Sequence, residues 1–265
     1  RGAADVAWKG FQWVNRKVPA RSFHPAWSPE PLPKSHERTK PPLGFPRRTD
    51  SLCPVCTREV REAIVKGQED LKALIDDVHS RGMRILFDFV PNHTSTQHAW
   101  FTDRAAHPGW YVWAGSPLAG WGYPWGGGSP SDVWRYSGGS YFYSAFGVDS
   151  MADLNYESAS ARAAVQDVER YWLDRGFDGM RVDAARYLCE TGGGQQADQP
   201  ETHARLKEFR ALLDEFATGD THPHPGNDPA RHSVKAMIAE AWTDDATSVG
   251  PYYGNGSAAF NFCLD

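Results

Sequence analysis

Three acids, Asp88, Asp183 and Glu240, each sit at or near the end of a short apolar run. Two carboxyls flanking a glycosidic bond are what glycoside hydrolysis needs. One is ionised, to attack or stabilise an oxocarbenium-like centre, and the other holds a proton for the leaving oxygen. Arg181 precedes Asp183 by two residues, so on a strand both side chains share a face and the cation should keep Asp183 ionised. Glu240 follows Met237-Ile238-Ala239 and precedes Trp242, apolar surroundings that should raise its pKa as a general acid requires. Alone, the Arg181–Asp183 pair would serve equally well as a buried structural ion pair.

Those acids need a scaffold. Gly176–Tyr187 reads as a tight turn, a buried strand and an acid at its C-terminal end, where active sites of parallel α/β barrels gather. Upstream, Leu71, Leu74, Ile75 and Val78 recur at helical spacing, with Gly82 just past the end. A near-continuous apolar run, Met83–Val90, follows as a strand buried on both faces and ends in the polar cluster Pro91-Asn92-His93-Thr94-Ser95.

Ser158–Arg175 reads as a helix with Ser160 as its cap, and Leu206, Phe209, Leu212, Leu213 and Phe216 mark another. Val234–Glu240 and Ala258–Leu264 read as further strands. This order predicts right-handed βαβ units on a parallel sheet. Gly192-Gly193-Gly194 fits no phosphate-binding fingerprint and reads as a turn.

Thr96 to about Ser150 keeps no clean period and is too long for an ordinary connection. Trp100, Trp110, Tyr111, Trp113, Trp121, Tyr123, Trp125, Trp134, Tyr136, Tyr141 and Tyr143 are spaced along it by Gly, Pro and Ser. Such rings can stack on sugars, although packing into a small core accounts for most of them.

With 265 residues, 40% of them apolar, the chain can bury a sizeable core. A net charge of −5 argues against nucleic acid or an anionic membrane as the main partner. No apolar run is long enough to span a bilayer. The opening lacks an apolar signal core, which favours the cytoplasm but leaves the compartment open. Residues 1–67 are an atypical, Pro-rich stretch, expected to be a poorly ordered or chimeric leader. Cys53-Pro54-Val55-Cys56 is half a metal motif without a second half, so free thiols are expected.

Four segments, in order, resemble signatures of the α-amylase family, glycoside hydrolase family 13. They are Asp88-Phe-Val-Pro-Asn92-His93-Thr-Ser, Met151-Ala-Asp153-Leu-Asn155, Gly179-Met-Arg181-Val-Asp183-Ala-Ala-Arg186-Tyr187 and Ile238-Ala-Glu240-Ala-Trp242. The resemblance covers about 68–265. It implies an α/β fold, a partial (β/α)8 barrel with a Trp-rich subdomain of about 96–155 inserted after the third strand. It places the nucleophile on Asp183 and the acid/base on Glu240.

Substrate contacts are expected from Asp88, His93, Arg181, Arg186 and Trp242, with His93 on the sugar being cleaved, Arg181 orienting the nucleophile and Asp88 supporting the site. Asn92 and the backbone of Tyr187 match calcium ligands of many members, although Tyr187 stands where many have His. The implied substrate is an α-1,4-glucan or maltooligosaccharide, cleaved with retention. A transglycosylase of the trehalose-synthase kind is the close alternative. The family's first two and last two strands and its third acid have no counterpart in these residues, so an inactive fragment that at most binds glucan is the other alternative.

Overall fold

The computed structural model describes residues 58–216, 235–243, 246–253 and 262–264. The expectations for the leader up to residue 57, including Cys53 and Cys56, lie outside them. Two compact units divide at Leu74. The division falls inside helix α1 (Arg58–Ser80), which runs unbroken through Gly67, so the expected boundary at 67 is not a break in secondary structure.

The second unit opens with Ile75, the buried member of the helical stripe, and continues into β1 (Phe87–Phe89). This strand is shorter than the apolar run that encodes it, because Arg84 and Ile85 serve as ties instead. Asp178, buried before a later strand, accepts bonds from Arg84 Nη1 at 2.7 Å and the Ile85 amide at 2.9 Å, and pairs with His79 Nε2 at 2.7 Å. Burial alone would raise its pKa, but these bonds outweigh burial and lower it.

Between the barrel strands the chain makes the subdomain: β2 (His93–Ser95), α2 (Ala99–Thr102), β3 (Trp113–Ala114), α3 (Pro130–Val133), β4 (Trp134–Ser137), β5 (Ser140–Tyr143) and β6 (Met151–Asp153). The segment that shows no period thus holds an antiparallel sheet ordered β3-β5-β4, closed by the antiparallel pair β2-β6. Its strands are only two to four residues long, too short for alternation to register. Trp121, Val133, Trp134, Tyr143 and Ala145 form its core.

The chain then re-enters the barrel through α4 (Ala159–Leu173), β7 (Gly179–Val182), a 3-10 turn (Ala185–Tyr187), α5 (Pro200–Glu215), β8 (Ala236–Glu240), α6 (Ala246–Tyr253) and β9 (Phe262–Leu264). Ser158, not Ser160, caps α4: its hydroxyl accepts from the Ala161 amide, three residues on. The buried face of α4 is Ala161, Val165, Glu169 and Leu173, an i, i+4 row. Burying Val165 and Leu173 stabilises by about 1.5–3 kcal/mol each.

Four parallel strands are ordered β1-β7-β8-β9. Phe87 meets Phe177 and Trp172 edge-on or tilted, and Phe89 meets Phe209 of α5, so helices cover the sheet as a βαβ series requires. Register pairs Asp88 with Arg181 and Arg181 with Ile238, which brings the C-terminal strand ends level.

Candidate active site

Alternation along β7 buries Met180 and Val182 and turns Arg181 to the opposite face. On β8 it buries Met237 and Ala239 and turns Ile238 and Glu240 the same way as Arg181. Arg181 meets all three acids. Its Nη1 lies 2.7 Å from Asp88 Oδ1 and 2.6 Å from Asp183 Oδ1, and its Nη2 lies 2.7 Å from Glu240 Oε2. Asp88 is the most open of the three, with 43% of its side chain exposed against 20% for Asp183 and 29% for Glu240.

Ala184 follows Asp183 in a left-handed conformation, φ 51°, uncommon for a residue with a Cβ. The turn brings its amide to Glu240 Oε2 at 3.4 Å, and Trp242 Nε1 donates to Oε1 at 3.3 Å. Asp183 and Glu240 also interact directly. Burial and the contact with Glu240 push Asp183 up to about 7, against the pull of Arg181. Burial would raise Glu240 too, but its bond with Asp183, the charge of Arg181 and the two N–H donors lower it.

The two shifts run in the opposite directions to those the sequence suggests. The apolar neighbours Met237 and Ala239 face away from the Glu240 carboxyl, while Arg181 is shared rather than reserved for Asp183. Two carboxyls in direct contact titrate as a pair rather than singly.

His93, at the start of β2, places Nδ1 3.0 Å from Asn92 Oδ1, and burial lowers its pKa to about 4, so the ring is neutral. Arg186 is held by its own partners in the chain. Its Nε lies 2.9 Å from Asp198 Oδ1 and its Nη2 2.5 Å from Asp198 Oδ2, and Nη1 donates to the Trp242 carbonyl. Asp198 also accepts from the Tyr252 hydroxyl. Arg186 therefore positions Trp242, which in turn touches Glu240. Asp198 and Tyr252 escape sequence reasoning, since one lies in a Gly-rich loop and the other on a helix interrupted by Pro251.

Asn92 and Tyr187 do meet, as Nδ2 donates to the Tyr187 carbonyl at 2.6 Å. Beside Asn92, buried Asp153 and Glu190 bond to each other, and burial raises both. Each leaves one carboxyl oxygen, Asp153 Oδ2 and Glu190 Oε1, without a hydrogen-bond partner. Carboxyl oxygens without partners are hard oxygen donors of the kind calcium takes.

A parallel strand arc with acids at its C-terminal mouth defines a glycoside-hydrolase-type α/β barrel. Residues 66–263 match the family model described as "Alpha amylase, catalytic domain". The chain belongs to the α-amylase family. It is 32% identical over 228 residues to an α-glucosidase of Apis mellifera, covering 74% of this chain and 37% of that one. It is 32% identical over 202 residues to a trehalose synthase of Pimelobacter sp., covering 69% and 33%.

Among solved structures, the α-amylase from H.orenii superposes with a TM-score of 0.56 at 26% identity, covering 75% of this chain and 36% of that one. The chain spans about a third of the length of the curated relatives it matches. The fold is accordingly an arc of the (β/α)8 barrel with its subdomain between β1 and β7. Among the described residues no helix is long and apolar enough to cross a membrane.

Proposed function

We propose that these residues carry the nucleophile and the acid/base of a retaining α-glucan glycosidase, acting on α-1,4 bonds of starch or maltooligosaccharides. The observation that carries it is the single guanidinium of Arg181 bridging Asp183 and Glu240 at adjacent strand ends. A sugar ring entering the mouth separates the two carboxyls. Glu240 then carries a proton, and Arg181 keeps Asp183 ionised. Asp183 attacks the anomeric carbon as the glycosidic C–O bond breaks and Glu240 gives its proton to the leaving oxygen. Glu240, now ionised, takes a proton from water, whose oxygen displaces Asp183 with net retention. Neutral His93 keeps Nε2 as an acceptor for a sugar hydroxyl. Asp88 steadies Arg181, and Trp242 offers an exposed ring beside Glu240.

Calcium, when bound, would supply structural charge, held by Asp153, Glu190, Asn92 and the Tyr187 carbonyl at the base of the subdomain. Titration with calcium should raise the unfolding temperature of the chain, and Glu190→Gln should abolish that rise.

Incubation with a 2-deoxy-2-fluoro or 5-fluoro glucosyl fluoride, followed by peptide mass mapping, tests the catalytic assignment. The expected adduct is on Asp183; an adduct elsewhere sinks it. A trehalose synthase among the relatives favours a second reading, transfer to a sugar rather than to water. Product analysis at rising acceptor concentration separates the two.

A further inference from the structure

Two non-glycine residues among those described hold left-handed backbone, Ala184 at φ 51° and Asp198 at φ 57°. Such strain persists only where the surroundings over-determine it, and it gathers at functional sites. The two residues are the ends of one latch. The Asp198 amide donates to the Arg186 carbonyl at 2.9 Å, and the Tyr187 amide donates to the Ala184 carbonyl at 3.0 Å. Asp198 thereby ties down the 3-10 turn that follows Asp183. Its carboxylate grips the Arg186 side chain as well, with Nε 2.9 Å from Oδ1 and Nη2 2.5 Å from Oδ2. Nη1 is left over from that grip and donates to the Trp242 carbonyl, just past β8.

The latch bears on one carboxyl. Besides the Arg181 guanidinium, Glu240 takes two N–H bonds on different oxygens, from the Ala184 amide at 3.4 Å on Oε2 and the Trp242 indole at 3.3 Å on Oε1. Both donors depend on Arg186, one through the turn it belongs to and the other through the carbonyl it holds. Trp242 is 59% exposed, so packing does little to fix its ring. Asp198 is held in turn by the hydroxyl of Tyr252, a fully buried residue of α6 set against the His203 ring. Burial alone would raise the Asp198 pKa, but the bonds from Arg186 and Tyr252 outweigh it, so the carboxylate stays ionised. A pair serving stability alone would need neither the strained backbone nor a further contact reaching the segment after β8.

We propose that Asp198 is a positioning residue for the acid/base: through Arg186 it fixes the turn and the indole whose N–H groups set the plane of the Glu240 carboxyl. The catalytic consequence rests on the retaining-glycosidase reading above, whereas the mechanical coupling from Asp198 to Trp242 does not.

Nitrogen-15 labelling of the tryptophan indoles reads the coupling without any activity. The Trp242 cross-peak is assigned by its loss in Trp242→Phe. Asp198→Asn removes the charge and keeps a residue that tolerates left-handed backbone. In that variant the Trp242 cross-peak should move upfield as its bond to Glu240 is lost, and its pH dependence should shrink. Tyr252→Phe deletes one hydroxyl and leaves Asp198 in place; it should move the cross-peak the same way by less.

Activity supplies the second arm. Asp198→Asn should slow maltose hydrolysis about tenfold, a fraction of what a general acid contributes, and leave α-glucosyl fluoride within about twofold, since fluoride departs with little help from a proton donor. A merely structural role would slow both alike.

A Trp242 cross-peak unmoved in both variants, or an equal loss on maltose and the fluoride, would overturn the inference. If Asp198→Asn fails to fold, the cross-peak in Tyr252→Phe decides it. If the wild-type chain cleaves neither sugar, the cross-peak alone decides the positioning, and the adduct experiment decides the glycosidase reading separately.

Discussion

Arg181 Nη2 meets Glu240 Oε2 at 2.7 Å across two strands, while Nη1 of the same side chain meets Asp183 Oδ1 at 2.6 Å. One cation thus serves both members of the acid pair, and Asp88 as well. Removing it leaves three carboxyls facing one another. Arg181→Met is expected to lower stability at neutral pH by about 3 kcal/mol, the cost of stranding partly buried charge. Arg181→Lys should recover only part of that, because an ammonium lacks the planar fork that reaches three oxygens. Urea unfolding of the three proteins checks this; a methionine variant as stable as the wild type would contradict it.

The raised Asp183 gives the pair a pH signature. Asp183 titrates near 7 when folded, above its unfolded value, so the folded chain binds more protons across the interval between them. Stability therefore falls as pH rises through that interval, with the loss complete above the folded pKa. Glu240 is shifted down and opposes the effect in part, at lower pH. Unfolding temperature should decline between pH 5 and pH 8, and Asp183→Asn should flatten that decline. An unchanged slope in Asp183→Asn would assign the titration to other groups.

The strand ends were legible in sequence because Arg181 and Asp183 share a face by simple alternation, and the ordered motifs around Asp88, Asp153 and Glu240 carried the family. The electrostatics of Glu240 were not legible. Its neighbours in sequence are apolar, but alternation points Met237 and Ala239 into the core, and the carboxyl's real partners come from β7 and the turn after it. Likewise Asp198 lies twelve residues past Arg186 in a loop without period, so only folding shows that it holds that guanidinium. The subdomain's strands were hidden for another reason. With four residues or fewer each, they are defined by pairing rather than by pattern.

Close approach of two backbones fixes one glycine of the barrel. Gly179 begins β7 with φ 150°, paired with Ala236 of β8, and a Cβ there would lie 1.9 Å from the Ala236 carbonyl oxygen. No side-chain adjustment can relieve a clash with backbone. Gly179→Ala is expected to cost about 3 kcal/mol or more, by prising apart the strands that carry Arg181 and Glu240. The loss should appear as a lowered unfolding midpoint together with faster exchange of the Ala236 amide. A variant with wild-type midpoint would mean that the two strands are not seated as described.

Glu169 presents the opposite case, a residue whose removal should help. It is 0% exposed on the inner face of α4, between Val165 and Leu173, and neither carboxyl oxygen has a hydrogen-bond partner. Burial raises its pKa well above the ordinary range, and the charges of Arg170 and Arg210 do not offset this. The folded chain therefore keeps a proton that the unfolded chain releases above its own carboxylate pKa. Stability contributed by the protonated form is present at low pH and is lost as pH rises toward the folded pKa. A leucine fills a similar volume and leaves nothing unsatisfied. Glu169→Leu is expected to stabilise the chain by about 2 kcal/mol at neutral pH and to reduce the alkaline loss. Denaturant unfolding at pH 5 and pH 8 tests both claims. A leucine variant that is less stable at both pH values would show that Glu169 has a partner worth more than its burial costs.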